Sequence, residues 1–255
     1  LFEILSFFNY WLKRVDQHSL HSPFVFDLFT QVISKPSNKD REIEALRFQL
    51  THSRKAIEIT DFGAGSRVTK KTNRSIGGIA KFASTPSKFS RFLSRAIDHF
   101  GYTNIIELGT SLGINTLYLS QNEDNQVTTF EGDPTIAIIA QEHFDSFGRK
   151  NIKTIVGNID YTLPKHIQSL NHIDLAYLDA NHRYDPTLHY YELIQPLTHE
   201  KSMMAIDDIH WSKEMNKAWH ELKKRPEVTL SIDLFEAGLL FFDPNLQKAD
   251  YILKF

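Results

Sequence analysis

The sequence predicts an α/β fold: a doubly wound, mostly parallel sheet that ends in an antiparallel hairpin and follows an N-terminal helical extension. Three observations carry this. From residue 103 onward, short apolar runs alternate with amphipathic segments, the pattern of strands and crossover helices. The first run, Ile105-Ile106-Glu107-Leu108, enters a glycine turn, Gly109-Thr110-Ser111-Leu112-Gly113. The last two runs, Val228–Leu234 and Leu239–Phe242, are joined by Phe235-Glu236-Ala237-Gly238, too short for a crossover helix, so they pair antiparallel.

Residues 1–50 read as helical. Phe2, Leu5, Phe8 and Leu12 form one apolar stripe, and Phe24, Leu28 and Val32 another. Ser22-Pro23 is a helix start, with serine as cap and proline in the first turn, and Arg41–Leu50 reads as a third helix. This extension is read as a packed cap, the alternative being a lid or homodimer arm. Residues 51–88 are the least regular. Ile57–Ser66 looks like a second strand and glycine turn, but Arg67–Arg74 shows no helical face and leads to no further strand. The cluster Arg67, Lys70, Lys71 and Arg74 reads as a solvated loop, since it lacks the interleaved aromatics of a nucleic-acid surface. A helix from Thr85-Pro86 to Phe100 then delivers the chain to the first parallel strand. The expected division is 1–84, a helical cap with an irregular region, and 85–255, the α/β domain.

In that domain the predicted strands are Asn104–Leu108, Val127–Phe130, Ile152–Val156, Ile173–Leu178 and Ser202–Ile206. The helices are Ile114–Ser120, Pro134–Phe147, Ile159–Leu170, Pro186–Leu197 and Lys213–Lys224, with Asp185-Pro186 as a cap and first-turn pair.

Bulk properties narrow the function. A chain of 255 residues holds one large α/β domain plus an accessory segment, and 41% apolar content supports a packed core. A net charge of −2 argues against a nucleic-acid partner recruited by overall charge. Without cysteine there is no disulfide, thiol catalysis or cysteine-ligated zinc. No apolar run approaches the roughly 18 residues that span a membrane. Glu3 and Asn9 interrupt the apolar start, and no signal-type cleavage site follows. A cytoplasmic protein without membrane partners is expected.

The glycine turn points to a ligand. Gly109 and Gly113 permit close approach to the backbone, and Glu131 lies about 20 residues beyond, where a carboxylate accepts both ribose hydroxyls. The closely spaced glycines that admit a pyrophosphate are missing, so a nucleoside without phosphates fits better than a dinucleotide.

With its motifs in this order, the stretch from about 85 to 245 resembles the class I S-adenosylmethionine-dependent methyltransferases, whose fold is Rossmann-like. Glu107-Leu108-Gly109-Thr110-Ser111-Leu112-Gly113 looks like that family's first motif, which wraps the methionine part of the cofactor. By the same resemblance Glu131 holds the ribose, Gly157-Asn158-Ile159 borders the adenine, and Asp179 lies near the methyl group. Leu178-Asp179-Ala180-Asn181-His182 and Ala205-Ile206-Asp207-Asp208 look like the catechol-type and other small-molecule, metal-dependent O-methyltransferases. That pattern usually ends in Asp-Asn, where this chain has Asp207-Asp208. It tends to carry a lysine three residues after the first Asp, where this chain has His182.

The resemblance implies O-methylation of a small-molecule hydroxyl. Three carboxylates at the carboxyl ends of neighbouring strands suit Mg²⁺ or another divalent cation. Asp179, Asp207 and Asp208 are the expected metal ligands, Asp179 and His182 the catalytic residues, and His182 the base. Quieter roles stand beside these. Asp179 caps or orients a loop, Asp207 and Asp208 cap the helix near Trp211, His182 and His210 are structural, and Tyr184 and Trp211 either line the acceptor pocket or fill the core. Competing activities are metal-independent methylation of nitrogen or protein, a metal-dependent hydrolase using Asp179, His182, Asp207, Asp208 and His210, and a non-catalytic cofactor-binding module.

Overall fold

The structure is a computed structural model and describes residues 2–36, 40–61 and 70–255. In chain order the N-terminal elements are helix α1 (Phe2–Lys13), a 3₁₀ turn (Gln17–Ser19), α2 (Pro23–Asp27), a π-helical turn (Leu28–Ile33) and α3 (Arg41–Thr51). A strand pair follows, β1 (Ala56–Asp61) and β2 (Lys70–Ser75), then α4 (Ile76–Phe82) and α5 (Ser87–Phe100). The alternating part comprises β3 (Asn104–Leu108), α6 (Ile114–Leu119), β4 (Gln126–Glu131), α7 (Pro134–Ser146), β5 (Ile152–Val156) and α8 (Ile159–Ile167). It continues through β6 (Leu175–Leu178), α9 (Tyr184–Ile194), β7 (Met203–Asp207) and α10 (Lys213–Leu222), and ends in β8 (Leu230–Asp233), β9 (Ala237–Phe241) and β10 (Ala249–Ile252). The fold is the α/β, mostly parallel, Rossmann-like arrangement expected, with helices before it and an antiparallel hairpin at its end. Two compact units divide it, Pro36–Ser169 and the pair of segments Leu1–Lys35 and Leu170–Phe255.

In the unit Pro36–Ser169, β3, β4 and β5 run parallel with β4 in the middle. Strand β3 is buried on both faces, with Ile105, Ile106, Glu107 and Leu108 enclosed, as in strands covered from both sides. Helix α5 presents Phe89, Phe92, Leu93, Ala96 and Ile97 inward at helical spacing and stops at Gly101, which takes the left-handed conformation. Helix α7 starts where Asp133 accepts the Ile136 N–H at 2.8 Å and Pro134 occupies the first turn.

The stretch expected to lead to no strand is corrected here. Lys70–Ser75 pairs antiparallel with Ala56–Asp61, and α4 follows, capped where Ser75 Oγ accepts the Gly78 N–H at 3.0 Å. The signal was weak because Ile57 and Ile59 of β1 supply the buried side chains of this ribbon, and two glycines open α4. The glycine turn Gly63-Ala64-Gly65 and Arg67 lie outside the described residues.

In the other unit β6 and β7 run parallel, β7 and β8 each pair antiparallel with β9, and β10 runs parallel to β8. The hairpin was expected. Strand β10 was not, because Ala249-Asp250-Tyr251-Ile252 is short and carries no apolar run. Close packing rather than turn geometry demands Gly238, since a Cβ there would lie 2.6 Å from the Trp219 ring.

Two local expectations change. Leu5, Phe8 and Leu12 of α1 face outward, while Tyr10 is buried with its hydroxyl donating to Leu253 O at 2.6 Å and Phe7 sets its ring edge-on to Phe235. Helix α9 begins at Tyr184, so Asp185 and Pro186 lie inside it rather than opening it, and the Arg183 carbonyl accepts the Thr187 hydroxyl.

Candidate active site

At the carboxyl end of β3 the backbone turns through Gly109 (φ +103°), Ser111 (φ +48°) and Gly113 (φ +77°). Gly109 N–H and Thr110 N–H both donate to Phe130 O at 3.0 Å, which fixes the turn against β4. A Cβ on Gly113 would lie 2.6 Å from the Phe144 ring, so α7 packs directly on the turn. Ser111 is non-glycine at positive φ, a conformation that costs free energy and persists where surrounding bonds hold it. Its N–H donates to Glu131 Oε2 at 2.9 Å and its hydroxyl to Ala83 O at 2.9 Å.

Glu131 is the acid at the end of β4. Its Oε1 accepts the Asp133 N–H at 2.9 Å while Oε2 takes that of Ser111. Burial pushes its carboxyl up to about 7, an effect opposed by the N–H donors and reinforced by the Asp133 charge. Gly157 (φ +129°) donates its N–H to Glu131 O at 2.8 Å, so the turn after β5 is tied to the same acid. Asn158 Oδ1 caps α8 by accepting the Asp160 N–H at 2.9 Å, and Ile159 is buried.

Glu107 is fully buried. Its carboxylate accepts from Asn115 Nδ2 at 2.8 Å, from Thr129 Oγ1 at 2.7 Å and from the Thr116 hydroxyl. Thr129, which also bonds Thr110 Oγ1 at 2.6 Å, was missed in the sequence. Its signal was weak, because Thr128 and Thr129 are adjacent and only the packing of β4 shows that Thr129 is the buried one.

Asp179 follows β6, Asp207 ends β7 and Asp208 comes next. His182 Nε2 lies 3.4 Å from Asp179 Oδ1, and its Nδ1 lies 3.6 Å from Asp208 Oδ2. The imidazole thus bridges two carboxylates. Asn181 (φ +63°), His182 (φ +33°) and Asp208 (φ +56°) all have positive φ, so strained backbone concentrates here. Asp208 N–H donates to Glu236 O at 2.7 Å and Tyr177 hydroxyl to Asp179 Oδ2 at 3.3 Å. Burial, then the Asp179 and Asp208 charges, holds the Asp207 carboxyl well above the usual range. Burial raises Asp208 as well, with Asp179, Glu3 and Glu236 adding to the rise and His182 opposing it.

The capping role for Asp207 and Asp208 falls to another residue, since Ser212 Oγ accepts the Met215 N–H at 3.1 Å and starts α10. His210 Nδ1 receives the Asn216 amide at 3.0 Å, leaving Nε2 to donate to Asp233 Oδ2 at 2.7 Å. Tyr184 hydroxyl donates to the Glu221 carboxylate and its ring lies under Lys217 Nζ at 3.9 Å, while Trp211 is exposed. Among the described residues, the group of three metal-type donors that converges within 4.8 Å is His172, Asp174 and His199, not the three aspartates.

Solved structures share this architecture. The O-methyltransferase from Bacillus cereus in complex with SAH is 14% identical, with 85% of this chain and 96% of that one covered, at a TM-score of 0.56. The SAH-bound methyltransferase PaMTH1 of Podospora anserina is 16% identical, with coverage of 82% and 97% and a TM-score of 0.56. The O-methyltransferase TomG of Streptomyces achromogenes, in complex with SAM, is 15% identical, with coverage of 63% and 81% and a TM-score of 0.53. The chain therefore has the fold of the class I S-adenosylmethionine-dependent methyltransferases. Within it, residues 106–209 match the family model described as a methyltransferase domain, and this span contains both strand-end clusters described above. No curated protein matches the chain by sequence.

Proposed function

We propose that the protein is an S-adenosylmethionine-dependent methyltransferase acting on a hydroxyl of a small molecule. The observation that carries this reading is Glu131, a strand-end carboxylate whose two oxygens each take one backbone N–H and keep lone pairs for a ribose diol. The match of residues 106–209 to a methyltransferase domain supports it, as do the SAM and SAH carried by the neighbouring structures.

Bound cofactor supplies an electrophilic methyl on its sulfonium. Glu131 fixes the ribose, the Gly109–Gly113 turn receives the methionine part with Ser111 pinning that turn to Glu131 and Ala83 O, and Gly157, Asn158 and Ile159 border the adenine. Glu107 acts from inside, holding Asn115, Thr116 and Thr129 so that the turn keeps its shape. His182 is the general base, and Asp179 and Asp208 orient its imidazole and stabilise the positive charge it gains. Asp207, pushed toward its neutral form by burial and by the Asp179 and Asp208 charges, is a hydrogen-bonding partner for Asp179.

Asp179, Asp207 and Asp208 are hard oxygen donors of the kind Mg²⁺ takes. In the present arrangement they do not fit one ion: the His182 ring fills the gap between Asp179 and Asp208, and the three carboxylates do not converge. The test is turnover on a panel of catechols, sugars and other hydroxyl acceptors, with and without Mg²⁺, alongside cofactor calorimetry. His182→Ala is expected to lower turnover by roughly 10²–10⁴ with cofactor affinity unchanged. Wild-type turnover that survives this substitution would remove His182 from the mechanism, and an absence of cofactor binding would end the reading altogether.

A further inference from the structure

The amino ends of β6 and β7 carry a second group of ligating side chains. His172 and Asp174 precede β6, and His199 lies in the loop before β7. Strand β6 separates this group from Asp179, which follows the strand's other end. His199 Nε2 lies 2.8 Å from Asp174 Oδ1 and His172 Nε2 lies 3.8 Å from the same oxygen. The two imidazole centroids are 5.6 Å apart at 64°. Asp174 is 7% exposed, whereas the His172 side chain is 48% exposed and reaches solvent.

We propose that His172, Asp174 and His199 form a binding site for Zn²⁺ or a similar borderline divalent metal, independent of methyl transfer. Two imidazole nitrogens and one carboxylate oxygen are a three-ligand set typical of zinc, with the fourth position left to water. Tetrahedral donors about 2.0–2.2 Å from a zinc ion lie roughly 3.3 Å from one another. The observed separations of 2.8 and 3.8 Å bracket that value, so small side-chain rotations suffice.

The loops that carry the donors are held together. Ile173 N–H donates to Leu197 O at 2.9 Å, Met203 N–H to Asp174 O at 2.8 Å and Ser202 Oγ to Ile173 O at 2.7 Å. His199 N–H in turn donates to Ser202 Oγ at 2.8 Å. An open cavity of about 760 Å³, lined by these three side chains with Glu200, Lys201 and Pro244, gives the metal and its water access.

Binding has a defined cost. Lys201 N–H donates to His199 Nδ1 at 3.2 Å, so neutral His199 carries its proton on Nε2 and gives it to Asp174. A metal on Nε2 moves that proton to Nδ1 and breaks the Lys201 contact, which lies at the long end of the ordinary N–H hydrogen-bond range. The Lys201 amide therefore reports occupancy.

The experiment is calorimetric titration of the whole chain with Zn²⁺, and with Mg²⁺ in parallel, followed by amide NMR at Lys201. One Zn²⁺ per chain is expected, with a shift of the Lys201 amide and no competition from Mg²⁺. His172→Ala, at an exposed position that leaves folding intact, is expected to weaken Zn²⁺ by at least about tenfold, while His182→Ala leaves it unchanged. Equal Zn²⁺ affinity in wild type and His172→Ala, or no saturable Zn²⁺ binding, would overturn the site. Cofactor affinity measured on the same His172→Ala sample is expected to match wild type, which keeps this result separate from the fate of the methyltransferase reading.

Discussion

Glu131 ties cofactor affinity to pH. Its carboxyl is pushed from an ordinary 4.5 to about 7, chiefly by burial, a change worth roughly 3 kcal/mol. If ribose recognition needs the carboxylate, the free protein is about a tenth competent near pH 6 and about nine-tenths competent near pH 8. Cofactor affinity should then fall roughly tenfold between those values. Near pH 7 binding should release about half a proton per site, read by calorimetry in buffers of different ionisation enthalpy.

Folding stability changes in the opposite sense. Below its unfolded value the group is protonated in both states. As pH rises from about 4.5 to about 7 the unfolded chain loses a proton that the folded chain keeps, and stability declines across that window. Glu131→Gln should therefore raise the stability of the ligand-free protein near pH 8 by up to roughly 3 kcal/mol. The gain is reduced by the one backbone N–H that the glutamine amide cannot accept. The same substitution should abolish the pH dependence of cofactor binding. Binding that is flat from pH 6 to pH 8 in wild type, together with unaltered stability of Glu131→Gln, would refute the reasoning.

Two more perturbations probe the frame of the site. Gly113→Ala places a Cβ 2.6 Å from the Phe144 ring at a φ of +77° and should cost roughly 2–4 kcal/mol in chemical denaturation. A loss within experimental error would mean that α7 does not press on this turn. Glu107→Ala removes the shared acceptor of Asn115, Thr116 and Thr129 and should destabilise by about 3 kcal/mol. Cofactor affinity should fall with it, because the turn loses its internal support.

The alternating part of the chain was legible because each strand there is either buried on both faces or set off by a clear turn. Asn104–Leu108 and Ile152–Val156 have the same limits in sequence and structure. The stretch 70–82 was not legible. Its strand, Lys70-Lys71-Thr72-Asn73-Arg74-Ser75, carries no apolar alternation. A polar strand can pair through its backbone, and periodicity does not record backbone pairing. Helix α1 misled for a related reason. Its regular apolar stripe implied burial of Leu5, Phe8 and Leu12, yet Tyr10 supplies the inward contact by reaching Leu253 O, a bond spanning most of the chain.

The sequence by itself determined the order of strands and helices from residue 104 to residue 222, the glycine turn, and the acids at the ends of β4, β6 and β7. Those features depend on local patterns of polarity and on residues that permit positive φ. The tertiary structure decided what the acids do. It turned Glu107 inward onto three polar side chains, gave Glu131 two backbone donors, and set His182 between Asp179 and Asp208. It also brought His172, Asp174 and His199 together from two separate loops. Partners that lie far apart along a chain leave no period in it, so their meeting is settled when the elements pack.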